Sequence, residues 1–198
     1  IPCWKIGWIA LYRITSTLGS EVMAGYTISI RIIVFVLLPS WGLSNAASTL
    51  VGQNLGANQP ERAERTVWIT AYANMFLLGL VGVILVMFPE FFIRLFIDDP
   101  LVISNGAISL RIISIGFLSY AMGMVMTQAF NGSGDTVTPT RINLFCFWLF
   151  EIPLAYLLAI VFDMKIYGIS IAIVAAETAL TLTAWYLFRK GKWKTVKV

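Results

Sequence analysis

Glu151 and Glu177 are the residues of this sequence best placed to do chemistry, because each lies near the middle of an otherwise uncharged hydrophobic segment. A membrane-spanning helix rises about 1.5 Å per residue across roughly 30 Å of hydrocarbon, so both carboxyls are predicted near the bilayer midplane. A charge there costs about 2.5–3.5 kcal/mol even on lenient scales, and such groups usually face a bundle interior or a water-filled cavity. We therefore predict that both acids bind the coupling proton or cation of a transporter.

A purely structural role for the two acids is the alternative. Either carboxyl could accept a hydrogen bond from a hydroxyl, or pair with an arginine, and so only hold two helices together. Thr181 follows Glu177 by four residues and is expected on the same helix face, where it could satisfy the acid locally.

The composition excludes several other kinds of site. At 59% hydrophobic and 12% charged residues, the chain is far more apolar than an average soluble domain. It contains no histidine, which excludes an imidazole relay or a histidine metal site. No nucleotide-binding, zinc-protease or serine-hydrolase motif occurs, so we expect no enzyme activity, no bound metal and no resident cofactor.

The long uncharged runs do not alternate in polarity, which favours an all-α, polytopic membrane protein over a barrel. Breaker-rich connectors separate the runs. The predicted helices are a partial one at 3–18 and complete ones at 22–52, 65–88, 103–130, 139–162 and 166–189.

The tail from Arg189 to Lys197 holds five of the fourteen basic residues. A basic segment directly after a hydrophobic span fits the positive-inside rule, and with no soluble domain left it does not indicate nucleic-acid binding. We expect an integral protein of the plasma (bacterial inner) membrane with a cytoplasmic C-terminus. The start at Ile1 indicates the end of a helix that began upstream.

Prolines and small residues suggest where the helices bend and pack. Pro39 and Pro153 lie inside helices and are predicted hinges, with a static bend as the alternative. The segment with Gly52, Gln53, Asn54 and Gly56 is predicted to pack helices within or between lobes. Six further side chains are predicted to line a cavity for flat or cationic molecules, with ordinary packing as the alternative. They are Trp41, Asn45, Tyr120, Gln128, Phe147 and Trp148. Trp193, near the tail, is expected to anchor at the membrane interface.

Several runs resemble one transporter family. The run 24–32, followed by 46–57 with its Val-Gly-Gln-Asn-Leu-Gly-Ala sequence, resembles the second helix of the carboxy-terminal lobe of multidrug and toxic compound extrusion (MATE) transporters. Residues 128–136 with Pro139 resemble the turn after that lobe's fourth helix, and 152–156 resemble its fifth.

The resemblance implies a twelve-helix, two-lobe transporter that expels organic, often cationic, drugs in exchange for H⁺ or Na⁺ by alternating access. The chain would supply helices seven to twelve, the seventh incomplete, with the amino-terminal lobe as its partner. In the sodium-coupled branch the acids lie on helices seven and ten, yet 1–20 and 100–134 contain none, which puts that site in doubt. The alternative function is a lipid-linked or polysaccharide flippase of a related fold. A membrane scaffold without transport is a third interpretation, against which the two midplane acids argue.

Overall fold

The all-α prediction is confirmed: in the computed structural model, which describes residues 3–195 and side chains from Ile9 to Lys194, every regular element is a helix. The first six are α1 (Cys3–Ser16), α2 (Ser20–Gly56), α3 (Pro60–Met87), α4 (Pro89–Arg94), α5 (Pro100–Ile115) and α6 (Phe117–Gly132). α7 runs over Val137–Val161 and α8 over Lys165–Arg189, followed by a 3₁₀ turn at Lys192–Thr195. Lys197 of the basic tail lies outside the described residues.

Four helices of the described part, α2, α3, α7 and α8, are long and apolar enough to cross a membrane. The pair α5 and α6 makes a fifth span if the two are counted together. Many large apolar side chains lie on the outside of the bundle; Phe35 and Phe76 are 75% and 76% exposed. A surface of this kind suits lipid rather than water.

Helix starts follow proline and capping chemistry. Pro60, Pro89 and Pro100 each occupy the first turn of their helix, where the missing N–H costs nothing. The Asp99 carboxylate caps α5 by accepting from the backbone N–H groups of Leu101 and Val102 at 2.9 and 3.2 Å. Because proline suits a first turn, α3 begins at Pro60 and not at the predicted residue 65.

The predicted helix 103–130 is two helices, bent by 55° between α5 and α6. Gly116 lies at the bend, and a Cβ there would come within 3.1 Å of the Val174 side chain on α8. The bend therefore depends on a glycine that lets α8 approach closely.

α7 is not a regular α-helix. π-helical turns at Leu144–Glu151 and Leu157–Val161 flank a short α-helical segment that contains Pro153. Proline lacks the N–H that continues an α-helical ladder, and wide turns of this kind are common at functional sites. At Pro39, by contrast, α2 remains one continuous helix. Whether either proline acts as a hinge stays a prediction.

Small residues let α2 cross its neighbours at close range. A Cβ at Gly132 of α6 would come within 2.9 Å of the Ser48 carbonyl carbon on α2, and one at Gly52 would lie 3.0 Å from the Gly132 oxygen. Gly52 therefore lies where α2 and α6 pack closely, and its packing against a second lobe remains a prediction.

The other three residues predicted to pack helices behave differently. Gln53 is exposed, and the Asn54 amide donates to the Leu50 carbonyl of its own helix at 2.8 Å. Nothing lies within 4 Å of a Cβ built at Gly56. Within the described residues no side-chain hydrogen bond joins Gln53 or Asn54 to another helix. Packing against a second lobe remains a prediction for them.

The chain folds back after α8. The Trp193 ring is 1% exposed, stacks on Phe188 at 4.8 Å and donates its indole N–H to the Phe188 carbonyl at 3.0 Å. Lys194 pairs with Glu64 in the first turns of α3. The expectation that Trp193 anchors at the interface is wrong, because the turn inserts its ring between α3 and α8.

We expect Gly132→Ala to destabilise the protein by about 1–3 kcal/mol, because the added methyl overlaps the Ser48 carbonyl in a backbone-to-backbone contact. The matched control is Gly42→Ala in α2, where nothing lies within 4 Å and alanine favours the helix. Thermal unfolding in detergent measures both variants. Equal melting temperatures for the two would contradict the close crossing.

Candidate functional site

A cavity of about 830 Å³ is lined by six of the eight residues predicted to bind the ion or the substrate. It is lined by side chains of α1, α2, α5, α6, α7 and α8. Its size lies within the range of pockets that bury drug-sized ligands. The lining is mostly apolar, with a small number of polar groups at separate places.

Glu151 and Glu177 both line this cavity. They lie near the middle of α7 and α8, each 25 residues long, and are close enough to interact electrostatically. Glu151 is 6% exposed, and Glu177 is half-buried. The two acids therefore face a shared space and not the lipid.

No basic side chain neutralises either acid within the described part of the chain. The ion pairs found there are Glu90 with Arg94 at 3.7 Å and Glu64 with Lys194. Arg31 lines the same cavity but forms no ion pair with either acid.

The proposed local partner of Glu177 is engaged elsewhere. The Thr181 hydroxyl donates to the Ser119 carbonyl of α6 at 2.7 Å, and Thr178 donates to Val174 of its own helix. The suggestion that Thr181 satisfies Glu177 is wrong, because α6 passes close enough to take that hydroxyl. Within the described residues neither acid accepts a hydrogen bond, so a purely structural role is not supported.

Tyrosines accompany both acids. Tyr120 lies near Glu177 and within hydrogen-bonding reach of the Trp41 side chain. Tyr26 is fully buried, lines the cavity near Glu151 and packs edge-to-face on Tyr12 at 5.6 Å. Each acid thus shares the cavity with a tyrosine close enough to interact with it electrostatically.

Amides gather at one end of the cavity. Gln128 donates to the Asn45 side-chain oxygen at 2.9 Å, and Asn131 donates to Gln128 at 2.7 Å. Gln128, Asn131 and Asn143 line the cavity. Asn45 itself does not, because it lies one turn beyond Trp41 on α2; it reaches the cavity only through Gln128.

The aromatic predictions divide in the same way. Trp41, Tyr120 and Phe147 line the cavity, and their contact with a substrate remains a prediction. Trp148 does not, because it follows Phe147 by one position and so points to a different side of α7. It is half-buried.

Sequence reasoning did not identify Tyr26, Arg31 and Asn143 as lining residues. A signal for Tyr26 existed in the spacing of α2. It lies fifteen positions before Trp41 with Ile30, Ile33 and Leu37 between them, at steps of three and four. That spacing places all five on one helix face.

Comparisons with known proteins agree with this architecture. The MatE family model matches residues 7–157. A probable multidrug resistance protein NorM of Thermotoga maritima is 28% identical over 176 residues, which cover 89% of this chain and 38% of the relative. A protein of the same description from Mannheimia succiniciproducens is 27% identical over 190 residues, covering 92% and 41%. The chain thus spans about two fifths of the length of these relatives.

Solved structures share the fold. The MATE transporter ClbM in complex with Rb⁺ superposes with a TM-score of 0.88 at 22% identity, covering 96% of this chain and 45% of that one. The eukaryotic MATE transporter AtDTX14 superposes with a TM-score of 0.86, also at 22% identity, covering 96% and 43%.

We expect a cysteine at Phe147, but not one at Phe145, to react with a charged, membrane-impermeant thiol reagent. Phe147 lines the cavity, whereas Phe145 is 60% exposed on the outside of the bundle, where lipid covers it. The reagent needs water and an ionised thiol. Labelling is measured in the full-length protein in vesicles, with Cys3 and Cys146 replaced. Equal labelling at both positions would show that water does not distinguish these two sides of α7.

Proposed function

The chain belongs to the MatE family, and from this membership we propose that it forms one lobe of a secondary transporter that exports organic, often cationic, drugs or toxic compounds in exchange for H⁺ or Na⁺. The observation that carries the proposal is the pair Glu151 and Glu177, which share a drug-sized, aromatic-lined cavity and form no ion pair with any basic side chain that the structure describes. No chemical conversion of the substrate is part of this function, and the coupling ion takes the place of a cofactor.

The two acids suit ion coupling because of where they lie. An ionised carboxylate in a poorly hydrated place is unfavourable, and this cost is relieved when the group is protonated or binds a cation. A cationic substrate and the coupling ion can therefore compete for the same negative charge. Binding of one then weakens binding of the other, and this reciprocity is the thermodynamic basis of exchange.

The aromatic lining suits flat organic cations. Trp41, Tyr120 and Phe147 offer ring faces along the cavity, and Glu177 lies beside Tyr120. A cation over an aromatic face gains about 0.5–2 kcal/mol, more where water is excluded. The description of the relatives as probable multidrug resistance proteins supports drugs as the broader substrate class.

A second lobe would complete the cavity. Phe35 and Leu38 of α2 line it and are 75% and 50% exposed in this lobe alone. Apolar side chains at the edge of a cavity suit a helix surface of a partner lobe. Rocking of the two lobes would open the cavity to each side in turn, with Pro39 and Pro153 as the proposed flexible points and residues 52–56 as a contact region.

The charge distribution supports a cytoplasmic C-terminus in the plasma membrane. The ion pair between Lys194 and Glu64 brings the basic tail to the end of α3 that carries Arg62 and Arg65. Basic residues collected at one end of a bundle favour the cytoplasmic side.

The flippase alternative has less support. A lipid-linked substrate carries a pyrophosphate, which needs basic groups along its path. Arg31 is the one basic residue that lines the described cavity, and two acids line it as well. A cavity of this polarity favours cations over anions.

We expect Glu151→Gln and Glu177→Gln each to lower ion-driven export at least about tenfold, because a neutral amide cannot exchange a proton or cation at the midplane. The test is export of a fluorescent organic cation from vesicles that contain the full-length protein. Glu90→Gln is the control, since that carboxyl lies at the surface in an exposed pair with Arg94. Export at the normal rate by both cavity variants would refute the coupling assignment.

We expect Trp41→Leu to weaken binding of the same dye roughly 3- to 30-fold through the loss of one aromatic face. Trp148→Leu is the matched control, because Trp148 does not line the cavity. Fluorescence titration of the purified full-length protein measures both affinities. A larger loss at Trp148 than at Trp41 would show that the substrate contacts another surface.

A further inference from the structure

The Tyr26 side chain is buried in a way that calls for a functional explanation. It is 0% exposed, and its hydroxyl has no hydrogen-bond partner among the described residues. A buried hydroxyl without a partner is unfavourable, and most such groups in proteins are satisfied. Phenylalanine would fill nearly the same volume without this cost. A tyrosine at this position therefore indicates that the hydroxyl is used in another state of the protein.

The place of Tyr26 shows what could use it. The residue lines the cavity that Glu151 enters from α7, and the two side chains are close enough to interact electrostatically. Packing against the Tyr12 ring, at 5.6 Å and 74°, limits how the Tyr26 ring can turn. Glu151 in turn accepts no hydrogen bond within the described residues. A donor without an acceptor thus lies near an acceptor without a donor.

We propose that Tyr26 is a positioning residue for ion exchange at Glu151: in another state of the protein its hydroxyl donates a hydrogen bond directly to the ionised carboxyl and thereby stabilises the proton-free state. The inference rests on the proposed coupling role of Glu151 and adds the group that assists proton release. The proton passes from the carboxyl to cavity water, and the tyrosine keeps its own proton throughout.

Other titratable and charged groups surround Glu151 and bear on its titration. They are Tyr12 on α1, Arg31 on α2, Tyr120 on α6, Cys146 on α7 and Glu177 on α8. Tyr120 interacts electrostatically with Glu177 and lies within hydrogen-bonding reach of Trp41, so its hydroxyl already has a partner. Arg31 is exposed. Tyr26 is therefore the buried donor best placed for Glu151.

The experiment follows the protonation of Glu151 itself in the purified full-length protein. Infrared difference spectra are recorded across pH, and the carboxylic-acid band that disappears in Glu151→Gln is assigned to Glu151. In Tyr26→Phe we expect the midpoint of this band's titration to move up by about one pH unit, since a hydrogen bond to a charged group is lost. Tyr72→Phe is the matched control, because Tyr72 is 63% exposed on α3 and should leave the midpoint unchanged.

A second measurement does not depend on the folding of Tyr26→Phe. A fluorinated tyrosine is placed at position 26 alone. Because its hydroxyl is more acidic, it donates a stronger hydrogen bond to Glu151, and the midpoint of the Glu151 titration should move down. An unchanged midpoint in both samples, or equal shifts in Tyr26→Phe and Tyr72→Phe, would overturn the proposal. The spectra report the titration of Glu151 and not export. If the midpoint moves up in Tyr26→Phe while Glu151→Gln still exports the dye at the normal rate, the coupling function is rejected and the hydrogen bond is retained.

Discussion

The structure depends on one constraint, which is that a carboxyl group cannot face hydrocarbon. Glu151 and Glu177 must turn toward a place where water or an ion reaches them, and this requirement fixes which sides of α7 and α8 point inward. The remaining sides of these helices can then be apolar and face lipid. The two acidic residues half-way along α7 and α8 accordingly both line the cavity.

A cavity of this size requires that the helices around it be held firmly elsewhere. The glycine contacts provide this, since α2 meets α5 through Gly25 and Gly106, and α6 through Gly52 and Gly132. At the first crossing Ser29 also donates to the Gly106 carbonyl at 2.8 Å. Backbones in direct contact on one side of α2 leave its other side, from Tyr26 to Trp41, free to line the cavity. One side of α2 therefore packs closely on α5 and α6, and the other side lines the cavity.

The sequence predicts the features that depend on local chemistry. The uncharged runs predict the membrane spans, and the central acids predict the candidate site. Each prediction rests on the free-energy cost of placing a charge in lipid. The features that it did not reveal depend on contacts between distant residues. The span bends at Gly116, where a larger residue would meet Val174 of α8, and Trp193 is buried in a turn that reaches α3. By contrast, Phe147 and Trp148 are adjacent in α7 and therefore lie on different sides of the helix, so helical spacing alone was enough to show that the two would not both line the cavity.

The two wide turns of α7 also bear on how its sequence can vary among relatives. Each π turn accommodates one residue more than an α turn of the same height, so a one-residue deletion can be absorbed by a return to regular geometry. The side chains on the two sides of such a deletion then keep the faces they had. A one-residue gap in the regular α-helical segment between the wide turns would instead rotate one half of the helix by about 100° relative to the other, and turn part of it away from the cavity. Evolutionary length changes in this helix should therefore concentrate in its wide turns, within 144–150 and 157–161.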